Sequence, residues 1–455
     1  MRRWGPEEIA RASGARLVVG SETAEGPERV TIDSRQAGPG ALFVGLRGAR
    51  VDGGMFGSDA LTAGAWGVIV APEHAAQMNA PTGRTRGVVL AADRPLLALQ
   101  RLAAAWRREL CAQVIAVTGS TGKTTTKDIL VSLLSPTRRV AATRANFNTE
   151  IGVPLEILSA PEGTDVLVLE HAMRGSGQIA ELAAISEPDV AVIVNIGPVH
   201  LELLGTLEAI AAAKAELIAG LRNGGTAVVP ANEPLLARYL QHAPQVITFG
   251  PEGDVRFRRS GAGRPVEIEL AGQVIELEVP FSQVHLRANL LAAVAAASAV
   301  GVTPTGRVEV AFSPGRGQRT ELPGGITVID DCYNANPMSV QAALDDLLAT
   351  APPGGSARRV AVLGDMLELG PDQRSFHVEA GRHAAEVGVD LLMTVGPLAA
   401  AMTDAFHGES YRAATAAEAV PLVRELVKPG DVVLVKGSRG VGLEAVCSAL
   451  TAGRD

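Results

Sequence analysis

The sequence predicts an α/β protein of three domains. These are a small mixed α/β N-terminal domain over 1–93, a central P-loop-type mononucleotide-binding α/β domain over 94–312, and a C-terminal Rossmann-like α/β domain over 313–455. Three observations predict this. At 455 residues the chain is too long for one compact core. Short apolar runs alternate with stretches of helical periodicity, the pattern of βα units on a mostly parallel sheet. The third is a glycine loop, Val117-Thr118-Gly119-Ser120-Thr121-Gly122-Lys123-Thr124-Thr125-Thr126, set between an apolar run and a helical pattern.

The first block offers short strands at 30–32, 41–45, 68–70 and 88–90, separated by glycine-rich turns. Pro81-Thr82-Gly83 reads as a loop within it. Arg94-Pro95 then opens a helix over 96–110. In the second block strands are expected at 114–117, 166–169, 190–194, 226–229 and 246–249. The strict alternation Val274-Ile275-Glu276-Leu277-Glu278-Val279 suits a hairpin strand with one wet face. Ser313-Pro314-Gly315-Arg316-Gly317 reads as the next hinge. The third block alternates again: strand 327–329, helix near 339–348, strand 360–363, helix near 375–387, then strands 391–395 and 432–435. It lacks the G-x-G-x-x-G fingerprint of dinucleotide sites. Ala351-Pro352-Pro353-Gly354-Gly355-Ser356 reads as exposed punctuation.

The glycine loop carries the clearest chemistry. Glycines let backbone N–H groups close in on phosphate oxygens, and the helix N-terminus adds partial positive charge. Lys123 would reach the terminal phosphates, and Thr124 or Thr125 would offer a hydroxyl to Mg²⁺. Val117 stands where the longer P-loop pattern has a glycine, so this is a shortened G-x-x-G-K-T-T variant.

Composition narrows the partners. With 47% hydrophobic and 20% charged residues the chain is ordinary for a globular protein. Only 3% are aromatic and the net charge is −8, which argues against nucleic acid as a partner. Cys111, Cys332 and Cys447 are odd in number and far apart, without zinc or disulfide spacing. The start lacks an apolar signal region, and the alanine-rich stretch 290–300 is too short to span a bilayer. A cytoplasmic protein is expected.

Ligands collect at the carboxyl ends of strands in open α/β sheets. Glu170 and Asn195 fall at such ends, and His200 follows in the same loop as Asn195. A carboxylate beside a triphosphate site suits Mg²⁺, which prefers oxygen, although a strand-end carboxylate is equally often just solvated. Lys214, in a helix over 207–221, reads on spacing alone as a solvated lysine. His285 and Asn289 share a helix face and could cap a helix or touch a base. In the third block Asp330-Asp331-Cys332-Tyr333-Asn334-Ala335-Asn336-Pro337, Gly364-Asp365-Met366-Leu367-Glu368-Leu369-Gly370 and Lys436-Gly437-Ser438-Arg439 would crowd one sheet edge.

The shortened loop resembles that of the Mur ligases, ATP-dependent amide-bond-forming enzymes of peptidoglycan synthesis. The strings Asn146-Phe147-Asn148-Thr149-Glu150-Ile151-Gly152-Val153-Pro154, Asn195-Ile196-Gly197-Pro198-Val199-His200-Leu201-Glu202 and Tyr333-Asn334-Ala335-Asn336-Pro337 point to the branch that adds D-alanyl-D-alanine. The resemblance runs from Asp33-Ser34-Arg35 to Arg439. It implies a monomeric enzyme acting on UDP-N-acetylmuramoyl-tripeptide and D-Ala-D-Ala with ATP and two Mg²⁺ ions. Ser34 and Arg35 would lie near the UDP end, with Asp52-Gly53 in the matching loop, and Asn148 and Asn336 would also meet substrate. Gly119, Ser120, Thr121, Gly122, Lys123, Thr124 and Thr125 would hold ATP, as would His285, Asn289, Asp331, Asn334 and either Arg316 or Arg319. Thr124, Glu170 and His200 would bind metal, joined by a carbamate on Lys214, which reverses the plain reading of that lysine. Lys123, Lys214, Glu170 and His200 would be catalytic.

Some residues depart from the family pattern: His171-Ala172 replaces the usual Met-Gly after Glu170, Gln283 and Leu286 flank His285, and Thr149 replaces an asparagine. A ligase adding the third amino acid, a folylpolyglutamate synthase and a non-catalytic ATP-binding regulator are the rival readings. The Asp-Asn-Pro-Arg motif of the first is absent from the sequence.

Overall fold

The computed structural model describes residues 1, 3–20, 25–78, 87–259, 265–350 and 357–452. The loops expected at 81–83 and 351–356 lie outside them. Among the described residues the chain forms three sheets, of five, ten and six strands.

The first sheet runs in the order Arg16–Val19, Val88–Ala91, Gly67–Val70, Ala41–Val44, Arg29–Thr31. Its first pair is antiparallel and the rest are parallel, so the expected mixed α/β domain is present. Arg16–Val19 is the strand the sequence reading lacks; at four residues it is too short to show a period.

The middle sheet is parallel from Val140–Ala142 at one edge to Val255–Arg259, with Gln113–Thr118 near its centre. Val166–Glu170 pairs on one side of that strand and Val190–Ile193 on the other. Connections leave in opposite directions there, which opens a crevice at the strands' carboxyl ends. The alternating segment is the strand Gln273–Glu278, paired antiparallel with Val266–Leu270, and its outward residues are exposed as the pattern implies.

The third sheet is ordered Gln318–Leu322, Ile326–Asp330, Val432–Lys436, Arg359–Gly364, Leu391–Val395, Glu409–Ala413. Only its first pair is antiparallel. Both edge strands escape the sequence reading because an edge keeps polar side chains in water, as Gln318-Arg319-Thr320-Glu321-Leu322 shows.

The helix Pro95–Leu110 joins the first domain to the second. Proline occupies its first turn, and Cys111 ends it with a left-handed φ of 52°. Leu99, Leu102, Ala103, Trp106 and Leu110 repeat at helical spacing and are buried. Trp106 meets Trp4 edge-on, ring centroids 5.2 Å apart. On the other side buried Arg107 donates to the carbonyls of Ser186 and Glu187 and to Asp189, at 2.8–3.0 Å. One apolar core therefore runs from Ile9 and Leu42 through Trp106 to Leu167 and Leu217. The third domain keeps cores of its own on the two faces of its sheet. No helix among the described residues is long and apolar enough to cross a membrane.

Candidate active site

The glycine loop joins the central strand Gln113–Thr118 to the helix Lys123–Leu134. Gly122 caps that helix at φ 75°, a left-handed conformation that side chains disfavour. A Cβ at Gly122 would also lie 2.6 Å from Asn289 Oδ1. Asn289 is buried in the helix Val284–Ala299, so sequence-distant residues meet at this glycine. The strand-end Asn195 shapes the loop from the other side: its Oδ1 accepts the Thr121 N–H at 2.9 Å, and its carbonyl accepts that of Ser120 at 3.1 Å. Lys123 folds back so that its Nζ donates to the Gly119 carbonyl at 2.7 Å. Burial holds the Lys123 ammonium below its usual range and Arg316 adds to this, while Glu170 opposes it.

Glu170 ends the strand Val166–Glu170 and is buried. The Thr124 hydroxyl donates to its Oε2 at 2.7 Å, and Asn148 Nδ2 donates to its Oε1 at 2.8 Å. Its backbone N–H is held by Thr143 Oγ1 at 2.9 Å, a support the sequence offers no signal for. A buried carboxylate between a loop hydroxyl and an amide, next to a phosphate-type loop, is a ready cation ligand.

His200 follows in left-handed backbone, φ 54°, and its Nδ1 lies 2.5 Å from Glu368 Oε2 in the third domain. Burial lowers its pKa, with Glu368 acting in the opposite sense. Lys214 is buried in the helix Leu207–Ala219, where burial and then the Lys123 charge drive its pKa well below the ordinary lysine value. It therefore holds a neutral amine much more readily than a solvated lysine does.

The third domain supplies the facing wall. Arg316 reaches across, its Nη2 3.3 Å from Thr124 Oγ1, and its guanidinium lies 4.2 Å from the Tyr333 ring centroid. Arg439 lies over the same ring at 5.3 Å, so Tyr333 meets two cations. Buried Lys436 donates to Asp331 Oδ2 at 2.6 Å and to the Asn334 carbonyl at 3.0 Å, which fixes that loop. Asn336 caps the helix Pro337–Ala349, its Oδ1 accepting the Ser339 N–H at 3.0 Å.

One cavity of 1460 Å³ lies between the two domains. Residues 120–125, Asn148, Glu170, His200, His285, Asn289, Arg316, Asp331, Asn334 and Asn336 all line it. Others of the expected set are elsewhere. Arg319 turns to Asp346 at 2.7 Å and does not line the cavity. Buried Lys214 and the loop's Gly119 do not line it either. Ser34 and Arg35 form a short turn in the first domain, away from this cavity, with the Arg35 guanidinium held by Asp33 at 2.8–2.9 Å. Glu368 and Lys436 are two of the cavity residues whose parts the sequence reading leaves unassigned, although both sit in strand-end strings it quotes.

Comparison with known proteins follows the same three-part division. Residues 27–107 match the Mur ligase family, catalytic domain, residues 117–297 the Mur ligase middle domain, and residues 315–439 the Mur ligase, glutamate ligase domain. The chain is 35% identical over 431 residues to the UDP-N-acetylmuramoyl-tripeptide–D-alanyl-D-alanine ligase of Bacillus subtilis, covering 92% of each. A crystal structure of MurF from Acinetobacter baumannii aligns over 99% of both chains with a TM-score of 0.87 and 29% identity. MurF from Thermotoga maritima in complex with ADP aligns over 92% of this chain and 96% of its own, with a TM-score of 0.79 and 31% identity. Likeness on this scale extends well beyond a shared nucleotide loop, through all three domains in the same order, and by it this chain belongs to the Mur ligase family.

Proposed function

We propose that this chain joins D-alanyl-D-alanine to the tripeptide carboxylate of UDP-N-acetylmuramoyl-tripeptide, using ATP, as a monomer in the cytoplasm. The observation that carries the reading is the interdomain cavity, where a phosphate loop and a buried carboxylate face Arg316, Asp331 and Asn334 of the third domain. The names of the relatives supply the substrates. The domain limits are taken at 93/94 and 312/313, because each sheet falls within one of the resulting spans.

The chemistry follows from the substrate. A carboxylate is a poor acyl donor because oxide would have to leave. Its attack on the γ-phosphate of ATP forms an acyl phosphate and releases ADP. The amine of D-Ala-D-Ala then adds to the acyl carbon, and phosphate departs. Residues 119–125 cradle the phosphates, and Lys123 neutralises charge on the transferring oxygens. His285 and Asn289 flank the base, and Arg316 is the arginine assigned to ATP, with Asp331 and Asn334 beside it. Asn148 and Asn336 are assigned to the peptide substrates, and Ser34 and Arg35 to the distant UDP end. The third domain excludes water that would hydrolyse the acyl phosphate.

The donor set suits magnesium: the Thr124 hydroxyl and the Glu170 carboxylate, 2.7 Å apart, line one cavity with the His200 imidazole. Two Mg²⁺ ions, when bound, would neutralise the phosphate oxygens. Lys214 completes the set as a carbamate. Its neutral amine would attack carbon dioxide, a N–C bond would form as one C=O π bond opens, and the nitrogen's proton would pass to solvent water, so that a buried base would become an anionic ligand.

The test is phosphate release from ATP with UDP-N-acetylmuramoyl-tripeptide, with and without D-Ala-D-Ala. Release that needs both, with ¹⁸O passing from the tripeptide carboxylate into phosphate, is expected. Binding of ATP without release under any combination would remove the ligase reading.

A further inference from the structure

The third-domain segment Gly364-Asp365-Met366-Leu367-Glu368-Leu369-Gly370 takes no part in the chemistry above, yet it touches the middle domain at His200. Glu368 Oε2 lies 2.5 Å from His200 Nδ1, and Oε1 lies 3.5 Å from Arg174 Nε. The Glu368 carbonyl accepts the Glu202 N–H at 3.3 Å. All three partners belong to the middle domain.

The contact is built from strained backbone on both sides. His200 has φ 54° and Glu368 has φ 63°, the left-handed region that non-glycine residues seldom occupy. Gly370 follows at φ 72°, where a Cβ would sit 3.3 Å from the backbone of Glu202.

The pairing has a chemical consequence. A carboxylate at Nδ1 draws the imidazole proton to that nitrogen and leaves the lone pair on Nε2. It also fixes the ring plane. A carboxylate–histidine pair of this kind is how proteins prepare an imidazole to hold a metal ion. We propose that Glu368 is the positioning residue that makes His200 a metal ligand. Because the third domain carries it, the metal site of the middle domain is complete only when the two domains are closed. This rests on the metal reading of the site given under the proposed function. It follows by linkage that bound metal favours closure to the same degree that closure favours metal.

The experiment uses the full chain, a non-hydrolysable ATP analogue and Mn²⁺, with free Mn²⁺ followed by electron paramagnetic resonance. Glu368→Gln is expected to weaken Mn²⁺ binding by about 10- to 100-fold. In a His200→Ala background the same change should have no further effect, since Glu368 acts through that ring. Unchanged Mn²⁺ affinity in Glu368→Gln overturns the proposal, and so does full additivity in the double variant. Should Glu368→Gln fail to fold, Glu368→Asp carries the test, because a shorter carboxylate must also lose affinity if position matters. If the parent chain itself takes up no Mn²⁺ with the analogue, the metal reading fails first and the role of Glu368 falls with it.

Discussion

Two residues in the middle domain are held against their usual protonation. Lys214 is buried beside the charge of Lys123, and both effects favour its neutral amine. The proposed carbamate makes a sharp prediction. Lys214→Ala should lower turnover by on the order of 10²-fold or more, the scale for loss of one charge-stabilising group. Short-chain carboxylates should restore part of it by filling the space of the missing side chain. Normal turnover in Lys214→Ala would end the carbamate proposal. His171 is fully buried, burial pulls its pKa from 6.5 to about 3, and neither ring nitrogen has a hydrogen-bond partner. In the unfolded chain it takes up a proton near pH 6.5, whereas the folded chain resists this until about pH 3. Its contribution to stability is therefore intact above pH 6.5 and is lost as pH falls through that window, at up to roughly 1.4 kcal/mol per pH unit. Urea midpoints between pH 7 and 4.5 should fall less steeply in His171→Met than in the parent. Equal slopes would mean that this histidine finds a partner when protonated.

At the level of elements, the strand Gln318–Leu322 shows how side chains three residues apart take different work. Arg316, before the strand, points into the cavity, whereas Arg319, on it, pairs with the buried Asp346 carboxylate at 2.7 Å. Arg316→Ala should raise the KM for ATP with little change in the unfolding midpoint. Arg319→Ala should instead cost about 1–2 kcal/mol of stability by leaving Asp346 without its cation, with the KM for ATP near that of the parent. The opposite pattern in a paired kinetic and denaturation measurement would exchange the two assignments. The sequence left this choice open because both arginines lie near one glycine hinge, and only the pairing of Gln318–Leu322 with Ile326–Asp330 separates them. Elsewhere the sequence was readable wherever a segment is buried on both faces. The runs around Val114, Val166, Val190 and Val432 are unbroken apolar stretches because helices cover both sides of their sheets. It was unreadable at edges such as Glu409–Ala413, and in contacts such as His200 with Glu368, where 168 positions separate the partners. The glycine loop announced itself by composition, but the seat of Asn289 against Gly122 required the fold.

In the whole molecule the apolar cores and the domains do not coincide. The first and middle domains share one core beside those each keeps to itself, and Trp106 and Arg107, which reaches to Ser186, Glu187 and Asp189, lock it. The third domain packs its own cores and meets the middle domain across the cavity. Residues 1–312 should therefore unfold as one unit, and 313–455 as another. Scanning calorimetry should resolve two transitions without nucleotide. A ligand bound between the units should bring them together, because it stabilises only the closed form. A single transition with equal calorimetric and van't Hoff enthalpies in the absence of ligand would contradict this division.

The edge-on pair of Trp4 and Trp106 has an optical consequence. The chain's 3 tryptophans are Trp4, Trp66 and Trp106, so no indole lies beyond the bridging helix Pro95–Leu110. Intrinsic indole emission excited at the red edge of absorption is thus a local gauge of the amino-terminal unit. It would stay dark to the swing of the carboxy-terminal lobe, and a melting curve recorded that way would overlook the loss of that lobe entirely. An indole introduced near the rim of the cavity would make the closing motion visible.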